Sequence, residues 1–320
     1  MSRSTDSLET DVEFSERAER YRRELHVHCY RMLGSFDQAE DVVQEVMLQA
    51  WRRRDDLERP EHLRAWLYKI ATNRCLDHLR SSQRRVATLS SLRDVPWLEP
   101  YPDRLLAEAA PTEAEPDAAV VATETIGLAF LAVLQLLPPR QRAALVLRDV
   151  LDWPAADVAE LLELSVPAVN SALQRARATL RTALPVEERE HWESDRRAAV
   201  DADVLARYIS AYESGDAEAT LALLAEDIRV TMPPAPYLFE GKEAILGLAA
   251  RARATGAWRL VPTRANAQPA AACYLRTAED AEFRAYKIDV LEVAEDGTIA
   301  TITTFGVKHF GAFGLPPVLP

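Results

Sequence analysis

The stretch Ala155-Ala156-Asp157-Val158-Ala159-Glu160-Leu161-Leu162-Glu163-Leu164-Ser165-Val166-Pro167-Ala168-Val169-Asn170-Ser171-Ala172-Leu173-Gln174-Arg175-Ala176-Arg177 reads as two helices joined by a tight turn. Val158, Ala159 and Leu162 share one face of the first helix, and Val169, Leu173 and Ala176 form the facing stripe of the second. Ala159 is small, as a close helix crossing requires. Ser165 offers an N-cap oxygen and Pro167 suits a first turn, so the second helix starts near Val166. Its outer face carries Ala168, Asn170, Ser171, Gln174 and Arg175, short polar and amide groups of the kind that reach base edges in a major groove. Arg177 and Arg181 lie further along, where they suit phosphate. Asn170 and Ala172 stand where a Lys or Arg would add phosphate contacts, so this element should bind DNA weakly without a second DNA-binding domain. An ordinary helical hairpin shares the apolar stripes but does not call for the polar outer face.

Working outward, residues 119–184 read as helical, with Pro138-Pro139 and Trp153-Pro154 opening two of the helices. Upstream, residues 12–82 repeat the pattern: Leu25, Cys29, Met32 and Leu33, then Val42, Val43, Val46 and Met47, then Leu63, Trp66, Leu67 and Ile70. Gly34-Ser35-Phe36-Asp37 breaks it, with Ser35 or Asp37 as the next N-cap. The net charge of −12 argues against nucleic acid until its distribution is read. Residues 52–85 hold 10 bases against 5 acids, whereas residues 86–125 hold 8 acids and 2 bases. That second segment is rich in proline, like a spacer, yet Trp97, Leu98 and Tyr101 make it too aromatic for one. These three are the expected docking residues of the linker.

In residues 39–51 a helix presents Asp41, Gln44 and Glu45 on a polar face; in residues 63–80 another presents Arg64, Lys69, Asn73, Arg74 and Arg80 outward. A basic, amide-bearing helix with interleaved aromatics suits backbone capture and base stacking. Together "AEDVVQEV", "LRAWLYKIATNRCLDHLR" and "LPPRQRAALVLRDVLDWPAADVAELLELSVPAVNSALQRARATLR" resemble regions 2 and 4 of the extracytoplasmic-function (ECF) sigma factors of the sigma-70 family. The resemblance covers residues 20–182. It implies core RNA polymerase and promoter DNA as partners. Asp41, Gln44 and Glu45 would meet the polymerase clamp. Leu57 to His62, with Asn73, would open the −10 element, and the helix from Val166 would read the −35 element. Leu57 departs from the aromatic often found in the family's base-capturing loop.

From about residue 200 the pattern changes to a helical run, residues 202–225, followed by alternating strand-like runs, with Glu295-Asp296-Gly297 as a hairpin turn. This half reads as α+β, helices first. Residues 206–230 resemble the SnoaL-like and ketosteroid-isomerase group, and sigma factors that carry such a domain in place of a separate anti-sigma protein. The expected class is therefore multidomain: two all-α sigma domains (12–85 and 123–184) around an acidic linker (86–122), then an α+β SnoaL-like, NTF2-like cone (200–320). By the resemblance, Tyr208 and Asp289 fall at the isomerase oxyanion positions, with a simple buried hydrogen-bonded pair as the alternative, and Met232 falls at the base position. A thioether takes no proton, so catalysis is not expected. Tyr237, Phe239, Trp258, Phe305 and Phe310 are expected around a pocket or its core. The tail from Phe305 to Pro317 reads as exposed aromatics in search of a partner.

The function expected is promoter-directed transcription initiation with a fused domain acting in cis on a cytoplasmic protein. The alternatives are a ligand-sensing helix-turn-helix regulator and a SnoaL-like enzyme. Cys29, Cys75 and Cys273 form no CxxC pair, the six histidines show no ligand spacing, and no run of about 18 apolar residues exists. No metal, cofactor or membrane segment is expected, and a small-molecule ligand of the last domain is left open.

Overall fold

The computed structural model describes residues 12–57, 59–83, 98–107, 126–183 and 195–320. The chain divides into two compact units, one of residues 1–92 and 105–188 and one of residues 93–104 and 189–320.

In the first unit, α1 (Arg22–Leu33), α2 (Phe36–Arg52) and α3 (Leu63–Gln83) precede α4 (Leu128–Leu136), α5 (Pro139–Leu145), α6 (Ala155–Leu162) and α7 (Val166–Ala183). α1 is the central helix. Every residue from Leu25 to Leu33 is buried, including His26, His28 and Arg31, because α2, α3, α4 and α5 pack around it. Gly34 ends α1 at φ 73°, and its N–H donates to the Tyr30 carbonyl at 2.7 Å. Ser35 then caps α2, accepting from the Gln38 N–H. A Cβ on Gly34 would meet Gln135 Cδ at 3.0 Å, so the left-handed cap and the tight approach both favour glycine.

The helices predicted to be two DNA-reading modules share this core. Arg142 of α5 is 3% exposed. Its guanidinium donates to the Met32 carbonyl at the end of α1, to Gln135 Oε1 and to the Gln135 and Leu137 carbonyls. It thereby satisfies carbonyls that helix ends leave over.

The second unit holds α8 (Asp195–Ser214), α9 (Ala217–Leu223), β1 (Leu224–Met232), β2 (Ala235–Glu240), α10 (Lys242–Thr255), β3 (Ala257–Ala265), β4 (Gln268–Arg276), β5 (Phe283–Val293), β6 (Ile299–Gly306) and β7 (Val318–Leu319). The sheet runs β2-β1-β6-β5-β4-β3, with β7 paired to β5. β1 and β6 are parallel and the other pairs antiparallel. Register shifts at Thr231/Met232, Cys273/Tyr274 and Glu292/Val293 bend the sheet. The helices and sheet of this unit share an apolar cluster that includes Val204, Leu223, Ile228, Leu260, Leu291 and Ile302.

Two expectations need correction. Helices do not all come first: α10 lies between β2 and β3. Its Ala-rich sequence has little contrast between faces, so its period is faint. The tail aromatics are not exposed. Phe305, Phe310 and Phe313 are all buried, and Phe310 meets Tyr274 edge-on at 5.4 Å. The described part of the linker is engaged. Glu99 to Arg104 are laid along the second unit: the Tyr101 N–H donates to Asn266 Oδ1 at 2.8 Å and its carbonyl accepts from the Asn266 N–H at 2.9 Å. Pro102 bridges to Ala265, and Asp103 accepts from the Ala267 N–H and pairs with Arg264. Glu99 pairs with Lys308, and Arg104 donates to the Ala312 carbonyl. Leu98 and Tyr101 are both buried; Trp97 lies outside the described residues.

Candidate functional site

α6 and α7 form the expected helix-turn-helix. Glu163 leaves α6 at φ 55° and Leu164-Ser165 complete the turn. Ser165 Oγ accepts from the Ala168 N–H at 3.3 Å. Val158, Ala159, Leu162, Val169, Leu173 and Ala176 are buried. Ser165, Asn170, Ser171, Gln174, Arg175 and Arg177 are exposed and Ala168 is half-buried. Ala172 stands where the sequence suggests a phosphate-facing position. It is 5% exposed and belongs to the inner face instead, so a lysine there would be forced into the core. Arg177 is held by Asp149, with bonds of 2.7 and 2.8 Å that raise its pKa.

On α2, Asp41, Gln44 and Glu45 are exposed. Leu48 joins them one turn on at 50% exposure, giving a polar strip with an apolar end that the sequence reading passed over. On α3, the expected row of outward cations is broken up. Arg64 is not free: its guanidinium bonds both oxygens of Glu24 on α1 and lies over the Tyr68 ring at 5.7 Å. Arg74 turns to Gln49 Oε1 at 2.8 Å. Arg80 pairs with Asp77, its neighbour one turn back, and Asn73 is exposed. Lys69 lies 3.8 Å from Glu160 of α6, and Tyr68 packs against Trp153 with ring centroids 5.4 Å apart. Leu57 is half-buried in an extended link between the short turns Arg54–Asp56 and Pro60–His62.

In the second unit, Tyr208 and Asp289 do meet, but not as an oxyanion hole. The Tyr208 hydroxyl donates to Asp289 Oδ2 at 3.0 Å. Lys287 Nζ approaches the same oxygen at 2.7 Å and Cys273 Sγ at 3.3 Å, and the Thr304 hydroxyl donates to Oδ1 at 2.6 Å. Both of its oxygens are thus occupied as acceptors within the protein. Burial and the adjoining Asp289 charge push the Tyr208 hydroxyl well above its ordinary range. Met232 and Tyr237 line a cavity beside this network, together with Tyr208 and Lys287. Tyr237 is 61% exposed, and Phe239 packs against the domain core. Asp289 sits behind the cavity wall rather than in it.

Among the described residues, no helix is long and apolar enough to cross a membrane, and no cluster of ligand-type side chains could hold a metal ion.

Comparison with known proteins agrees with this layout. The family model of sigma-70 region 2 matches residues 18–85, that of sigma-70 region 4 matches residues 127–180, and that of the SnoaL-like domain matches residues 205–302. The ECF RNA polymerase sigma factor SigG of Mycobacterium tuberculosis is 40% identical over 96% of this chain and 85% of its own length. SigJ of the same species is 35% identical over 67% of this chain and 62% of its own. The crystal structure of M. tuberculosis SigJ superposes with a TM-score of 0.61 at 24% identity, covering 96% of this chain and 99% of that one, a likeness of fold. With both sigma regions in order, a SnoaL-like domain after them and a relative of this identity over nearly the whole chain, the protein belongs to the extracytoplasmic-function sigma factors of the sigma-70 family.

Proposed function

We propose that this sigma factor recruits core RNA polymerase through the α2 strip of Asp41, Gln44, Glu45 and Leu48. The −10 element would meet Leu57 and the Asn73 side of α3, with Arg64, Lys69, Arg74 and Arg80 as supporting cations. The −35 element would be read by Ser165, Ala168, Asn170, Ser171, Gln174, Arg175 and Arg177 on α7. The exposed polar face of α7, on a helix whose opposite stripe is buried, is the observation that carries the promoter reading. Its setting is the cytoplasm, where the polymerase works.

The third domain acts in cis by holding the linker. Residues 98–104 join the two DNA-reading regions in sequence, and the Tyr101–Asn266, Asp103–Arg264 and Glu99–Lys308 contacts support this reading. A sigma factor regulated through its own linker does not require a separate anti-sigma protein. The enzyme alternative is disfavoured because the Asp289 oxygens are engaged by four donors and, among the described residues, the cavity wall carries no carboxylate.

The test is run-off transcription with purified core polymerase from the gene's own upstream region and from a promoter library. Full-length protein would be compared with a chain ending near residue 190. Specific initiation by either form is expected, and the ratio between them gives the sign of the third domain's control. If neither form binds core or initiates, the ligand-sensing regulator becomes the better reading.

A further inference from the structure

The cavity of the third domain has a volume of about 560 Å³, well within the range of sites for small organic molecules. Its wall is apolar and aromatic, and among the described residues its charges are of one sign: Lys287, Arg251 and Arg253 contribute, and no Asp, Glu, His or Cys does. Arg251 and Arg253 are exposed, whereas the Lys287 side chain is 17% exposed. Lys287 is held in place. Its ammonium lies 2.7 Å from Asp289 Oδ2 and 5.1 and 5.9 Å from the ring centroids of Tyr212 and Trp258. The two rings flank it as π faces, and among the described residues Asp289 is its ion-pair partner at hydrogen-bond distance. An ammonium has three donors and Asp289 engages one of them, so donor capacity remains for whatever enters the cavity. Burial opposes the charge on Lys287, but Asp289 and Tyr212 outweigh it and keep the ammonium protonated.

We propose that this cavity binds an aromatic or polycyclic organic acid, its carboxylate on the Lys287 ammonium and its ring system against Tyr212, Trp258, Met232 and Ile302. A single buried cation matches one carboxylate. A phosphate group would need more donors than this depth of the cavity provides. The edge-to-face set of Tyr212 on Trp258 at 5.6 Å and Trp258 on Tyr286 at 5.2 Å gives flat walls for fused rings. This assignment goes beyond the transcriptional reading and does not depend on the sign of the third domain's control.

The test is isothermal titration calorimetry on the full-length protein with 2-naphthoate and 9-anthroate. The neutral 2-naphthalenemethanol and the cationic 2-naphthylmethylammonium serve as matched probes. The acids should bind about tenfold or more tightly than the alcohol, the worth of one charge-assisted hydrogen bond, and the ammonium should not bind. The double variant Lys287→Met/Asp289→Asn removes both charges, so no buried carboxylate is stranded. It should erase the preference for the acid and leave the alcohol's affinity within about threefold. Equal binding of acid and alcohol, binding of the ammonium, no heat from any probe, or an unchanged preference in the double variant would each overturn the proposal. Should the double variant not fold, Ala249→Trp fills the cavity from α10, and acid binding that survives it overturns the proposal equally.

Discussion

Asp289 shows how much a residue's role depends on its neighbours. Its position suggested an oxyanion donor; four converging donors make it an acceptor that ties Tyr208, Thr304, Cys273 and Lys287 together. Lys287 was legible in principle, because residues two apart on a strand share a face, yet a lone lysine in an alternating run reads as a solvated side chain. His28 is a second case. It is fully buried, hydrogen-bonded to Thr72 Oγ1 at 2.9 Å, and burial, with Arg31 adding to it, pushes its pKa down to about 3. The folded protein therefore holds it neutral while the unfolded chain takes up the proton near its ordinary value of 6.5. Stability from this group is full above that value and falls as pH drops toward the folded one, by about 2 kcal/mol at pH 5. In urea titrations at pH 7 and pH 5, His28→Gln, which can still bond Thr72, should lose less stability on acidification than the native protein. Equal losses would show that other groups govern the acid limb.

At the scale of elements, the helices of the first unit were largely readable. Ser35 and Ser165 act as the caps their positions suggested, and Pro139 opens α5. What was missed had weak local signals. α10 lacks a strong apolar stripe, and the β3–β4 turn lacks the Asn-Gly or Asp-Gly pair that announces a hairpin. That turn is made by Asn266 and Ala267 at φ 56° and 60°, a left-handed pair in which Ala267 carries a Cβ cost. Ala267→Gly should therefore stabilise the second unit by about 0.5–1 kcal/mol, with the Asp103 bond to the residue 267 N–H retained. Thermal unfolding checks this, and an unchanged or lower midpoint would mean that the turn is not strained. Arg142 was equally invisible: nothing in "LPPRQRAAL" says that its arginine reaches the end of α1, since its carbonyl partner Met32 lies 110 residues away.

For the whole molecule, the acidic linker is the feature whose partners only the structure supplies. Its aromatic content pointed to a docking role, and Tyr101 is fully buried with its backbone paired to Asn266. Tyr101→Ala removes a large buried side chain, a loss of about 3–5 kcal/mol for comparable aromatics. Most of that loss should appear as release of the 98–104 segment rather than as unfolding. Hydrogen exchange followed by mass spectrometry should show protection lost at 98–104 and retained in β4, β5 and β6. Protection retained at 98–104 would mean that Tyr101 does not hold the segment, and the cis-control reading would lose its support.

Sequence alone determined the order of the modules, the helix-turn-helix with its buried and exposed faces, and the α+β character of the last third. These rest on local periodicity, capping and turn chemistry, which a few neighbouring residues specify. Only the tertiary structure decided which cations were spent on internal partners, as Arg64 is on Glu24 and Arg74 on Gln49. The same holds for Asp289 as an acceptor and for the linker segment laid along the second unit. Each depends on groups far apart in sequence, and a charged or polar side chain takes its role from whatever the fold brings within about 3 Å of it.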